Sequence, residues 1–157
     1  MVNLKCRQTT FDDVTTVARN MRAADVAELA ACGTTPGLAL SKGLAMSDEC
    51  VTVVNQDGEI LVIYGVAPGC RLTGLGRPWL LGTDAALKHA RDFITMPKKV
   101  IPAMLTIYPR LENYVHVENR VSVRWLKLLG FKMDEPVENP ITCEKFMRFY
   151  MTREDYV

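Results

Sequence analysis

The chain has 157 residues, 48% of them hydrophobic and 24% charged, with a net charge of +1. That length suits one domain able to bury roughly two-thirds of the surface its unfolded chain would expose. The composition excludes wholesale disorder, and no apolar run reaches the roughly 18 residues of a membrane-spanning helix. The first residues, Met1 to Arg7, carry charge with no apolar stretch behind it, so a secretory leader is not expected and the cytoplasm is the expected compartment. Cys6, Cys32, Cys50, Cys70 and Cys143 form no CxxC pair and meet only two histidines. They read as free, mostly buried thiols, and no metal site is expected.

Charge is unevenly spread. Residues 71–132 hold eleven bases against four acids, while 133–157 hold six acids against three bases. The basic middle suits a phosphate-bearing small molecule. A long nucleic acid would call for a larger overall surplus and an aromatic-basic stripe, so neither nucleic acid nor membrane is expected as a partner.

In chain order, Leu4 to Gln8 reads as a short strand. Thr10 then caps a helix with acids in its first turn and Val14, Val17, Ala18 and Met21 on one apolar stripe. A second helix runs through Val26, Leu29 and Ala30 and stops at Gly33, and a third starts at Thr35-Pro36 and ends near Ser47. Glu49–Val54 and Glu59–Val66 are β-rich runs joined by the turn Asn55-Gln-Asp-Gly58, a hairpin. Pro68–Pro78, with three glycines and two prolines, reads as a loop, and Trp79–Thr83 as a short buried strand. Residues 84–94 and 97–110 carry helical patterns. Asn113–Glu118 alternates, with Tyr114, His116 and Glu118 on one side and Val115 and Val117 on the other. Arg120–Leu129 is helical and stops at Gly130. Phe131–Asp134 and Phe146–Thr152 are the last strands. The order predicts a single α/β domain over 1–157, with helices on both faces of its sheet.

The sharpest local pattern runs from Asn119 to Phe131. Asn119 ends a strand and caps a helix, Ser122 is small three positions on, Trp125 is aromatic at six, and Gly130-Phe131 closes the segment. Asn119 accepts from the first free N–H groups, Ser122 lets a ligand lie close to the helix, and Gly130 permits a left-handed exit. This segment, with the strand order of the whole chain, resembles the GNAT N-acetyltransferase superfamily. The resemblance implies a mixed, mostly antiparallel sheet flanked by helices on both faces. It also implies acetyl-CoA as co-substrate and acetyl transfer to an amine. Ser47-Asp-Glu-Cys-Val-Thr52, Asn113-Tyr-Val115 and Asn119 to Phe131 further resemble the internal virion protein A family of short-tailed phages. That likeness covers about 47–133 and implies a phage origin, the host bacterial cytoplasm or the virion as location, and a host or virion protein as an alternative partner. It does not by itself imply catalysis. A homodimer is a further reading, since the aromatic residues suit a core or an interface equally.

In GNAT proteins one strand splays from its neighbour to pair with the pantetheine, and a glycine loop after it holds the pyrophosphate. Arg71-Leu-Thr-Gly74-Leu-Gly76 matches that loop's spacing. The residues after it, however, read as a strand rather than a helix, and the placement leaves one strand too few before it. The alternative puts the splayed strand at Trp79–Thr83, with Leu81, Gly82 and Thr83 along the arm. Arg91, Lys98 and Lys99 then stand near the phosphates, and Asn119 and Ser122 at the opposing helix. For proton transfer the candidates are Glu118, His116 and Asp84. Seven residues after Asn119, where many GNAT enzymes carry a tyrosine acid, stands Leu126, which has no proton to give; Tyr64, Tyr108 and Tyr114 are the substitutes.

Overall fold

A computed structural model describes residues 3–156. Eight strands form one sheet in the order β1-β2-β3-β4-β5-β8-β6, with β7 also paired to β8. The strands are β1 Lys5–Gln8, β2 Glu49–Val54, β3 Ile60–Cys70, β4 Leu75–Gly82, β5 Arg110–His116, β6 Lys132–Met133, β7 Val137–Glu138 and β8 Lys145–Thr152. Every pairing is antiparallel except that of β4 with β5. The helices are α1 Phe11–Asn20, α2 Ala23–Ala31, α3 Pro36–Met46, α4 Asp92–Thr95, α5 Pro97–Ile107 and α6 Arg120–Leu128. No helix among the described residues is long and apolar enough to cross a membrane.

Two apolar layers hold helices against the sheet. On one face Val14 and Val17 of α1, Met21 just after it and Leu40 of α3 meet Ile63, Trp79 and Leu81. On the other, Ile101, Met104 and Leu105 of α5 and Leu126 of α6 meet Val62, Tyr64 and Val66. The predicted mixed sheet with helices on both faces is therefore present.

The start of α1 follows the sequence closely. The Thr10 hydroxyl accepts from the Asp13 amide at 3.3 Å, and the Asp13 carboxylate accepts from the Thr10 amide at 2.9 Å, a reciprocal cap. Asp13 also accepts from Arg7 at 2.5 and 2.8 Å and from the buried Thr52 hydroxyl at 3.0 Å, which fastens α1 to β1 and β2.

Several expectations are corrected. Pro68–Pro78 is not a loop: β3 continues to Cys70, and β4 begins at Leu75 rather than Trp79. Both prolines fit because neither gives up a ladder bond. Pro68 lies beyond the Glu49↔Val66 end of the β2 ladder, and Pro78 lies on the side of β4 where no strand pairs. Residues 84–94 form a 3₁₀ segment, Asp84–His89, and the four-residue α4. The helix expected over 97–110 ends at Ile107, and the strand expected from Asn113 to Glu118 is β5, Arg110–His116. The cysteines are not mostly buried. Cys6, Cys32 and Cys143 are exposed, on an edge strand, a helix end and a loop, and Cys50 and Cys70 are partly covered.

On α2 the apolar residues do not all turn inward: Leu29 is partly buried against the core. Val26 is exposed, while Asp25 is 3% exposed and, with Ala31, makes up the buried side of the helix. The reason lies in what α2 covers.

Candidate functional site: the opening between β4 and β5

The parallel strands β4 and β5 pair only through Leu75↔Arg110 and Gly76↔Leu111. Glycine is required at that seam, because a Cβ on Gly76 would lie 2.5 Å from the Tyr108 ring. Beyond it the strands part. At Pro78 the gap is spanned by a side chain, with Asn113 Nδ2 donating to the Pro78 carbonyl at 3.0 Å. At Gly82 the partner is α2: the Arg22 amide donates to the Gly82 carbonyl at 2.9 Å, and the Gly82 amide donates to Asp25 Oδ2 at 3.0 Å.

These bonds fix the parity of the strand. Gly82 and Pro78 turn their peptide groups away from β3, so by antiparallel alternation Leu80 does too. Its N–H and C=O face the opening, opposite no residue of β5. Leu81 has the reverse parity and turns its peptide groups to β3. Leu80 and Trp125 line two apolar cavities, of about 110 and 90 Å3. Trp125 stands in the wall between them, its indole N–H donating to the Phe93 carbonyl at 2.6 Å.

A polar cluster closes the far end. Arg22 binds Asp25 at 2.6 and 3.0 Å. Asn119, 3% exposed, caps α6 by accepting from the Ser122 amide at 3.4 Å. Its Nδ2 donates to Glu28 at 2.6 Å and reaches Asp25 at 3.5 Å. Arg22 reaches the Ser122 hydroxyl at 3.5 Å. Burial pushes the Glu28 carboxyl up; the Asn119 bond pulls it down, the Asp25 charge pushes it up again, and the net shift is upward.

The residues singled out in the sequence are distributed as follows. Gly82, Asn119 and Ser122 meet at the cluster. Thr83 is buried beside it, its amide on the Leu61 carbonyl at 2.9 Å and its hydroxyl on the Ile60 carbonyl at 2.8 Å. Arg91, Lys98 and Lys99 are exposed, the lysines on the first turn of α5. Asp84 is exposed at the start of the 3₁₀ segment. Glu118 is exposed and 3.8 Å from Arg120. His116 is buried, its ring tilted at 50° against Phe146 with centroids 5.2 Å apart, its Nε2 at 3.0 Å from Glu144. Of Arg71–Gly76, residues 71–74 form the β3–β4 turn, with Gly74 at φ 66°, and Leu75 and Gly76 open β4, at its opposite end from Gly82; Gly74 is about 25 Å from Gly82 at the rise of a strand. Sequence reading missed Arg22, Asp25, Glu28, Leu80 and the wall position of Trp125. A signal for three of them was present, since 22, 25 and 28 recur every third position and so share one helix face.

A parallel pair that parts after two residues, facing an Asn-capped helix, defines the fold of the GNAT N-acetyltransferases. Structural likeness agrees. The Vibrio cholerae spermidine N-acetyltransferase in complex with CoA and spermine is similar over 98% of this chain and 97% of its own, at 11% identity and a TM-score of 0.74. A chimera of that enzyme with hSSAT is similar over 98% and 97%, at 13% identity and a TM-score of 0.72. A protein described as a phosphinothricin N-acetyltransferase is similar over 96% and 98%, at 10% identity and a TM-score of 0.70. No family model matches the sequence, and no curated protein matches it.

Proposed function

We propose that the chain is an acyl-CoA-dependent N-acyltransferase that moves an acetyl group from acetyl-CoA to an amine. The observation that carries this reading is the free peptide edge of Leu80, facing apolar cavities inside the β4–β5 opening. Such an edge suits an amide-bearing arm, which would add to β4 as a strand does. Gly82, Thr83, Asn119 and Ser122 surround the end of that path, Arg22 brings a positive charge to it, and Arg91, Lys98 and Lys99 are the exposed cations assigned to the phosphates. The fit is partial. The cavities fall below the roughly 300 Å3 at which small-molecule pockets begin, no glycine loop follows β4, and α2 already holds Gly82 and Asn119. Acetyl-CoA, when bound, supplies an activated acyl thioester. On the protein's side, the Leu80 N–H is a donor toward a carbonyl in the opening. Leu126 is buried and holds no proton. Tyr64 lines the second cavity, and burial, with the charges of Cys6 and Glu49, pushes its hydroxyl up to about 12.

A second reading keeps the fold without catalysis, as a phage protein bound to a host or virion partner. The clasp of α2 on Gly82 and Asn119 favours it. Calorimetric titration with acetyl-CoA separates the two. Micromolar affinity is the expected result, and no binding at millimolar CoA selects the second. Gly74→Val tests the placement of the phosphates. Its Cβ would meet Pro109 at 2.8 Å and its φ is left-handed, so stability is expected to fall by about 2 kcal/mol. Acetyl-CoA affinity of the folded variant is expected to stay within twofold, because the turn lies at the far end of β4; abolished binding in folded protein would assign the phosphates to Arg71–Gly76.

A further inference from the structure

We propose that the polar cleft between the end of α1, the β2–β3 turn and the start of the 3₁₀ segment binds a free diamino acid, with the ligand carboxylate on Arg19 and its two ammonium groups on Glu59 and Asp84. The cleft measures about 730 Å3. That lies within the roughly 300–1,000 Å3 of small-molecule sites.

Long-range contacts build its floor. Met21, just after α1, bridges to Thr83. The Thr83 amide donates to the Leu61 carbonyl at 2.9 Å, and its hydroxyl donates to the Ile60 carbonyl at 2.8 Å. The end of α1, the start of β3 and the end of β4 are thereby held side by side, with Met21 and Thr83 buried. The same contacts part the cleft from the β4–β5 opening. The Arg22 amide bonds the Gly82 carbonyl next to the floor, and neither Leu80 nor Trp125 lines the cleft.

The walls carry full charges without partners. Arg19 stands on the last turn of α1, Glu59 just before β3, and Asp84 at the first position of the 3₁₀ segment. None of the three belongs to an ion pair among the described residues. Arg22, whose charge Asp84 supports from a distance, is already held by Asp25 at 2.6 Å. Glu59 is set in place by Asn55, which donates to Oε2 at 3.1 Å and accepts from the Glu59 amide at 3.0 Å; Oε1 has no donor.

These groups define the ligand. Glu59 and Asp84 repel a simple anion, and a plain diamine makes no use of Arg19. One cation and two carboxylates complement a molecule with one carboxylate and two ammonium groups. Ile60 and Ala85 supply apolar surface for the methylene chain between those groups. No three His, Cys, Asp or Glu side chains converge as metal ligands among the described residues, and the cleft is far wider than a bare ion needs.

The test is NMR titration of the amide resonances with three probes. They are L-lysine, norleucine, which lacks the second ammonium, and cadaverine, which lacks the carboxylate. Lysine is expected to shift the amides of residues 16–21, 58–60 and 83–85 saturably. Its expected Kd is about 1 mM, and each of the other probes should bind about tenfold more weakly for want of one charge-assisted contact. Arg19→Gln is expected to bring lysine and cadaverine within about twofold of each other, and Glu59→Gln with Asp84→Asn to do the same for lysine and norleucine. All three side chains are exposed, so folded variants are expected, and the comparison of probes on the wild type decides by itself where a variant does not fold. Acetyl-CoA enters neither ligand nor readout. Cadaverine or norleucine binding as tightly as lysine, a variant that weakens all three probes alike, or no saturable shift below about 20 mM would overturn the site. Shifts confined to the Leu80 and Ser122 amides would overturn it too, by moving lysine to the β4–β5 opening.

Discussion

Asp13→Ala is expected to lower stability at pH 7 by about 3 kcal/mol, or roughly 10 °C in Tm for a chain of this length. The carboxylate serves three partners at once. It accepts from Arg7, from the first turn of its own helix at Thr10, and from the buried Thr52 hydroxyl. Alanine removes a charge-assisted pair and half of a reciprocal cap, and it leaves Thr52 with only its bond to Thr9. The pH dependence has a definite sign. Burial pushes the Asp13 carboxyl up, but the Arg7, Thr10 and Thr52 bonds outweigh it and hold the group at about 2. In the unfolded chain it titrates near the ordinary value of about 3.9. A depressed acid stabilises the fold above the unfolded value and loses that contribution as pH falls through the folded one. Roughly 2–3 kcal/mol should therefore disappear between about pH 4 and pH 2 in the wild type and not in the variant. Urea titrations across that range should show the two stabilities converging; a constant gap would refute the role of the charge.

Trp125→Ala is expected to cost about 3 kcal/mol and to merge the two cavities beside Leu80. The indole is half-buried, lines both spaces and holds the Phe93 carbonyl at 2.6 Å. Alanine removes the apolar wall and leaves that carbonyl without its donor. Trp125→Phe keeps most of the packing and lacks only the N–H, so a loss of about 1–2 kcal/mol is expected from it. Denaturant midpoints should fall in that order with the m-value unchanged. The alanine variant should also admit an apolar probe such as benzene, as dry cavities do. Equal midpoints for the two variants would show that the hydrogen bond, not the ring, carries the contribution.

What the sequence disclosed follows from the range of the interaction. Thr10 with Asp13, the Asn55–Gly58 turn and the Asn119-to-Gly130 helix are set by neighbours within a few residues, and each was legible. Pro68 and Pro78 misled because a proline stops a strand only where a ladder bond is needed, and that depends on how far β2 and β5 extend beside them. The buried face of α2 depends on the same kind of distant contact. Asp25 is inside because the peptide of Gly82, 57 residues away, has no strand partner and takes a carboxylate instead. Leu80, rather than Leu81, faces the opening by the parity of a hydrogen-bond ladder, and side-chain patterning does not reveal it. Glu28 was hidden by looking like an ordinary solvated acid until Asn119 was found against it.

The narrow seam between β4 and β5 also sets the mechanics of the molecule. Strands β1 to β4 form one raft with continuous ladders, and β5 to β8 form another. Within the sheet the joint between them is two residue pairs and the Asn113 side chain, with the clasp of α2 at one end and the α5–α6 apolar layer lying across one face. Torsion of one raft against the other breaks no ladder within either, so strain concentrates in this joint rather than spreading through the sheet. Anything that bonds to Leu80 and spans the gap acts as a splint, turning two hinged boards into one.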